Sequence, residues 1–187
     1  MKKKFILLAM MLLTLIGGVN LNVLNAQETI EIGEGSTSTS YSIPSYTYYG
    51  NRSFTQQIYT AGEINAASGN VISISFKKQR GNNNVRNISV YMENTDKTSF
   101  TGNYYDWIFL NSEPVYEGTF DWSTGEGWVT ISLSTPFEYN GDGILLSVYD
   151  NTGVAYPYTN YDRFYTYSST DYKAMYVSNT ASMPTKY

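Results

Sequence analysis

Gly143–Tyr149 (GILLSVY) is apolar at nearly every position and lies between two turn signals, Asn140-Gly141-Asp142 and Asp150-Asn151-Thr152-Gly153. A short apolar run bounded this way reads as a central strand covered on both faces. Working outward, the neighbouring segments keep a period of two. In Val71–Lys78 (VISISFKK), Ile72, Ile74 and Phe76 alternate with Ser73, Ser75 and Lys77. Ile88, Val90 and Met92 alternate with polar partners and Tyr91 in Val85–Glu93, as do Val129, Ile131 and Leu133 with Trp128, Thr130 and Ser132 in Trp128–Ser134. Each is a strand with one buried and one wet face. Fainter strand patterns fall at Thr29–Ile32, Thr55–Thr60, Trp107–Leu110, Val115–Phe120, Arg163–Tyr167 and Lys173–Val177.

Turn signals recur every 10–15 residues or so, at Ser68-Gly69-Asn70, Gly81–Asn84 and Ser123-Thr124-Gly125 among others, the spacing of an antiparallel sandwich. Only Ala61–Ala67 (AGEINAA) has helical character, enough for little more than one turn. Gly35–Ser45 (GSTSTSYSIPS) reads as a surface loop. The fold class expected is all-β, an antiparallel two-sheet sandwich of jelly-roll-like form, because edges need covering or closure.

Composition narrows the chemistry. The 187 residues contain no Cys and no His, which excludes disulfides, thiolate or imidazole metal sites and His-dependent triads. Carboxylates, hydroxyls, amides and a large aromatic complement remain: 19 Tyr, 8 Phe and 3 Trp. Lys2, Lys3 and Lys4 precede an apolar run, Phe5–Gly17, and Ala26 offers a cleavage point, so residues 1–26 read as a signal peptide. The run falls short of the ~20 residues that a spanning helix needs. The expected product is secreted or surface-exposed, with residues 27–187 as one sandwich module and no membrane insertion. Loss of the three lysines takes the formal charge from −4 to −7, which argues against nucleic acid as a partner.

Three kinds of site follow from residue chemistry. Asp150 and Asn151, with Thr152 and Gly153, offer several oxygens on one loop, the donor set that calcium takes; the same residues also suit an Asx turn at a strand end. Tyrosines cluster at Tyr46, Tyr48 and Tyr49, at Tyr104 and Tyr105 beside Trp107, and at Tyr156, Tyr158, Tyr161, Tyr165 and Tyr167. Flat rings with a polar tip give contact area at low entropic cost, so Tyr46, Tyr48, Tyr49, Tyr156, Tyr158 and Tyr161 are the expected ligand-binding residues; Tyr also suits a half-exposed sheet face as scaffold. Catalysis is not expected. Glu113 and Glu117 on one strand would stand about 13 Å apart, beyond either glycosidase geometry. Lys77-Lys78-Gln79-Arg80 reads as a solvated, edge-protecting run.

The stretch ETIEIGEGSTSTSYSIPSYTYYGNRSFTQQIYTAGEINAASG, with VISISF, VRNISVYMENTDKTSF and GWVTISLSTPFEYNGDGILLSVYDNTG after it, resembles the cleaved-adhesin modules of secreted proteins, the adhesin domains of gingipains among them. The resemblance implies an adhesion or binding module recognising a host extracellular protein or a glycan, with neighbouring modules of a larger secreted protein as further partners. A calcium-stabilised spacer, or a carbohydrate-binding module accompanying a protease or glycanase, is the alternative it leaves open. It also implies calcium ligands near the N-terminal strand, where Glu31 or Glu34 would join Asp150. Similar modules continue beyond a segment like NTASMPTKY, so the resemblance implies a fragment or a replaced last strand.

Overall fold

The computed structural model describes residues 27–33, 38–40, 42–46, 51–81, 85–122, 125–154, 161–167 and 169–178. The signal-peptide reading of residues 1–26 lies outside them, as do Glu34, Tyr48, Tyr49, Tyr156 and Tyr158. Nine strands and one helical turn are described: β1 (Ser38–Ser40), β2 (Ser53–Tyr59), α1 (Ala61–Ile64), β3 (Gly69–Arg80), β4 (Val85–Thr95), β5 (Tyr116–Asp121), β6 (Gly127–Tyr139), β7 (Gly143–Asp150), β8 (Arg163–Thr166) and β9 (Ala174–Ser178).

The strands form two antiparallel sheets, ordered β1-β8-β3-β6 and β5-β4-β7-β2-β9. The hydrogen-bonded pairs are nested: β1 with β8, β2 with β7, β3 with β6, β4 with β5. One long nested hairpin rolled into two facing sheets is a jelly roll, and β9 adds a fifth strand beside β2. In this topology the connections β1–β2, β3–β4, β5–β6 and β7–β8 leave from one end of the sandwich. The other connections leave from the opposite end.

The alternation seen in the sequence decides which side chains meet between the sheets, except at Ile72, which a register shift between Val71 and Ser73 leaves 45 % exposed. Ile88, Val90 and Met92 of β4 and Ile144, Leu146 and Val148 of β7 face Ile74, Val129, Ile131 and Phe164. The double cover expected for β7 is present, and a loop supplies its outer half. Leu145 turns outward and is buried with Ile58 and Phe100 beneath Ile108, Leu110 and Met175. Gly143 begins β7 where Thr95 and Tyr59 carbonyls would lie 2.8 and 2.9 Å from a Cβ, so no larger residue fits there.

Several expectations are corrected. Residues 27–33 form no strand, and 107–110 belong to a loop whose main chain bonds to a side chain instead of a strand. The Ser/Thr-rich loop contains β1, which has no apolar face for a periodicity search to detect. Lys78 is not solvated. It falls on the inward phase of β3, fully buried, 2.9 Å from Asp162 and donating to the Trp122 carbonyl.

α1 is short but firmly capped. Thr60 and Glu63 form a reciprocal capping box, and Asn65 closes the turn in the left-handed region. Glu63 also accepts from the Tyr167 hydroxyl at 2.8 Å and from Lys173 at 3.2 Å. Partial burial opposes its ionisation, but the Thr60 amide and hydroxyl, Tyr167 and Lys173 together hold its pKa at about 2 against an ordinary 4.5. A depressed carboxylate stabilises the fold fully above its unfolded pKa and loses that contribution as pH falls through the folded value. Glu63→Gln should therefore lower stability near neutrality by about 1–2 kcal/mol. The gap from wild type in thermal melts should close as pH falls from 4.5 towards 2. A gap independent of pH would assign Glu63 a purely steric part.

Candidate binding surface

The loop joining β4 to β5, residues 96–115, crosses the outer face of the five-stranded sheet and is held at several points. Phe100 is 2 % exposed and forms an isolated antiparallel bridge to Tyr172. Gln56, fully buried in β2, uses both ends of its amide on one residue: its Nε2 donates to the Ile108 carbonyl at 2.8 Å and its Oε1 accepts from the Ile108 amide at 2.9 Å. Trp107 packs on Phe54 with ring centroids 5.3 Å apart. Glu93 accepts from the amides of Asn111 and Ser112 at 2.6 and 2.9 Å. A side chain thus replaces the strand partner that this backbone lacks, and the loop stays ordered without a ladder.

At its tip the chain turns through Thr101–Asp106. Asp106 accepts from the Thr101 amide at 2.5 Å and faces Lys97 at 3.7 Å; the Thr101 bond foremost, then the lysine charge, holds its pKa down. Asn103 accepts from the Tyr105 amide at 3.2 Å in an Asx turn. The tip presents Tyr104 and Tyr105, 86 % and 78 % exposed, and Tyr172 beside them is 64 % exposed. The Tyr172 ring lies against Gly102, where a Cβ would come within 2.6 Å of it. Two large rings left in water on a braced tip, with Tyr172 of the β8–β9 connection beside them, form a surface shaped for contact.

The tyrosines expected from the sequence stand elsewhere. Tyr161 is buried, with the Arg80 and Arg163 guanidiniums 4.6 and 5.7 Å from its ring and its hydroxyl accepting from both. That is a structural post between two arginines, unsuited to a ligand. Tyr46 is half-buried and stacks on Tyr176 of β9 at 5.7 Å. Tyr172 and Gln56 were not singled out by sequence. The one signal for Gln56 was a polar residue in the buried phase of Phe54, Gln56 and Ile58.

Of the carboxylates proposed for calcium, the two that are described, Glu31 and Asp150, are not brought together. Asp150 lies at the Ser53 end of β2, whereas Glu31 lines a cleft beside Gln57 and Tyr59 towards the other end. Among the described residues no three acidic groups gather. Asp150 is fully buried and both oxygens are committed: Oδ2 accepts from Ser45 and Arg86 at 2.6 Å each, Oδ1 from the Thr152 amide at 3.0 Å and its hydroxyl at 2.6 Å. Four donors fill the roughly four lone-pair sites of a carboxylate. The Asx-turn reading of Asp150 is the one its geometry meets. Asn151 is exposed and accepts from Arg52 at 2.8 Å.

No protein-family model, curated protein or solved structure matches this chain.

Proposed function

We propose that this chain is a non-catalytic, exported binding module that contacts a host extracellular protein or glycan through Tyr104, Tyr105 and Tyr172. The supporting observation is the exposure of Tyr104 and Tyr105 on a loop fixed by the buried anchors Phe100 and Gln56, with exposed Tyr172 of the β8–β9 connection bridged to Phe100 beside them. Preorganisation matters because a loop already ordered loses little entropy on binding. Tyrosine adds area with only two side-chain torsions to freeze. The resemblance to cleaved-adhesin modules points the same way.

Binding of the mature protein to extracellular-matrix proteins and to a glycan array tests this. The triple variant Tyr104→Ala/Tyr105→Ala/Tyr172→Ala should lose at least tenfold in affinity, about 1.4 kcal/mol, at an unchanged melting temperature. Gln56→Leu, which leaves every ring in place but unties Ile108, should weaken binding in the same assay. Wild-type affinity in the triple variant would overturn the assignment.

A further inference from the structure

A second surface, independent of the loop, lies on the side of the sandwich where β8 is too short to cover β3. A cleft of about 160 Å³ opens there, lined by Glu31, Gln57, Ser75, Lys77, Trp128 and Tyr165 among others. That is below the roughly 300 Å³ at which drug-sized pockets begin, and suits a single small ring. We infer that this cleft binds one neutral hexose unit of a glycan, with Trp128 as the stacking face and Gln57 and Lys77 as donors to its hydroxyls.

Two observations independent of cleft shape support this. Gln57 is 6 % exposed; its Oε1 accepts from the Tyr59 hydroxyl at 2.8 Å, while its Nε2 has no hydrogen-bond partner. A buried amide donor without a partner costs about 1–3 kcal/mol, a cost that an acceptor on a ligand removes. Trp128, on the edge strand β6, is 52 % exposed and stands opposite Lys77 in the β3–β6 register. The Lys77 ammonium sits 5.9 Å from the Trp128 ring and 5.6 Å from the Tyr165 ring and makes no salt bridge among the described residues. Cation–π contact with both rings fixes an otherwise flexible amine. Tyr165 is itself held by its hydroxyl, which donates to Glu126 at 2.8 Å.

The chemistry selects a sugar. A hexose has a flat C–H face that packs on an indole and hydroxyls that both accept and donate. Lys77 and Gln57 donate, and the exposed Glu31 carboxylate at the rim accepts. Lys173, which also lines the cleft, is paired with Glu63 at 3.2 Å, and Glu31 offsets Lys77, so the cleft carries no excess positive charge, which favours a neutral sugar over a uronic acid or a phosphate.

Titration of ¹⁵N-labelled mature protein with the methyl glycosides of glucose, galactose and mannose, and with oligosaccharides built from them, gives the test. One of these should shift the Trp128 indole N–H cross-peak saturably. Trp128→Ala should then weaken binding about tenfold or more, read from the shifts of neighbouring amides. Gln57→Leu should weaken it comparably, and if that variant fails to fold, Lys77→Met at the surface serves as the polar arm. The triple tyrosine variant of the loop should bind the same sugar with wild-type affinity, so failure here and failure of the loop reading are separate results. No saturable shift with any hexose, or affinity unchanged in Trp128→Ala, would overturn the inference.

Discussion

Arg86→Ala should bring the domain close to unfolding, with an expected loss of about 3–5 kcal/mol against a typical total of ~5–15. Arg86 and Asp150 are both fully buried and meet at 2.6 Å on the inner face of the five-stranded sheet. Arg86 also donates to the Val154 carbonyl at 2.6 Å, which ties the chain leaving β7 back to the start of β4. Truncation leaves the Asp150 charge in a dry interior with only Ser45 and Thr152 to offset it. The cost arises mainly from that stranded charge, and a control follows from this. Arg86→Met combined with Asp150→Leu removes both charges and should recover most of the stability, since a buried pair gains little net energy over apolar replacements of similar size. Urea denaturation measures both. A loss under about 1 kcal/mol in Arg86→Ala would mean that water reaches the pair.

Trp122→Ala carries a comparable expected loss, about 3–5 kcal/mol. Trp122 follows β5 and is 1 % exposed, its ring edge-on to Phe120 at 4.7 Å and to Phe164 at 5.3 Å, with Phe76 at 6.4 Å. Phe120 belongs to one sheet, Phe76 and Phe164 to the other, so the indole fills the space between sheets at the end holding both buried ion pairs. Its main-chain carbonyl receives Lys78 as well. Trp122→Phe should cost much less, within about 1.5 kcal/mol. The indole Nε1 is buried without a hydrogen-bond partner, so the smaller ring also removes an unsatisfied donor. Similar losses in both variants would show that ring volume, not any aromatic contact, is what the site requires.

Legibility in the sequence followed how local each signal was. Ile88, Val90 and Met92, and Val129 and Ile131, announced their inward phase through their polar neighbours, and the sheets use that phase. Lys78 obeyed the same period: counted from Ile74 and Phe76 it points inward, and only the presumption that lysine stays wet concealed it. Exposure of tyrosines was not legible. Tyr104 and Tyr161 are the same residue type in similar polar surroundings. One stands in water, while the other is clasped between Arg163, two residues on, and Arg80, 81 positions away.

By itself the amino-acid sequence determined the all-β class, most strand positions and the helical turn at Ala61–Ile64, because alternation, turn residues and helix propensity act over a few residues. Tertiary structure alone decided which polar groups are structural and which are free to bind. Asp150 looked like a metal ligand until Arg86, 64 positions away, took up its charge. Gln56 became an anchor through a carbonyl 52 positions away. Whether a side chain's bonding capacity is already filled depends on partners that only the rolled sheets bring within reach.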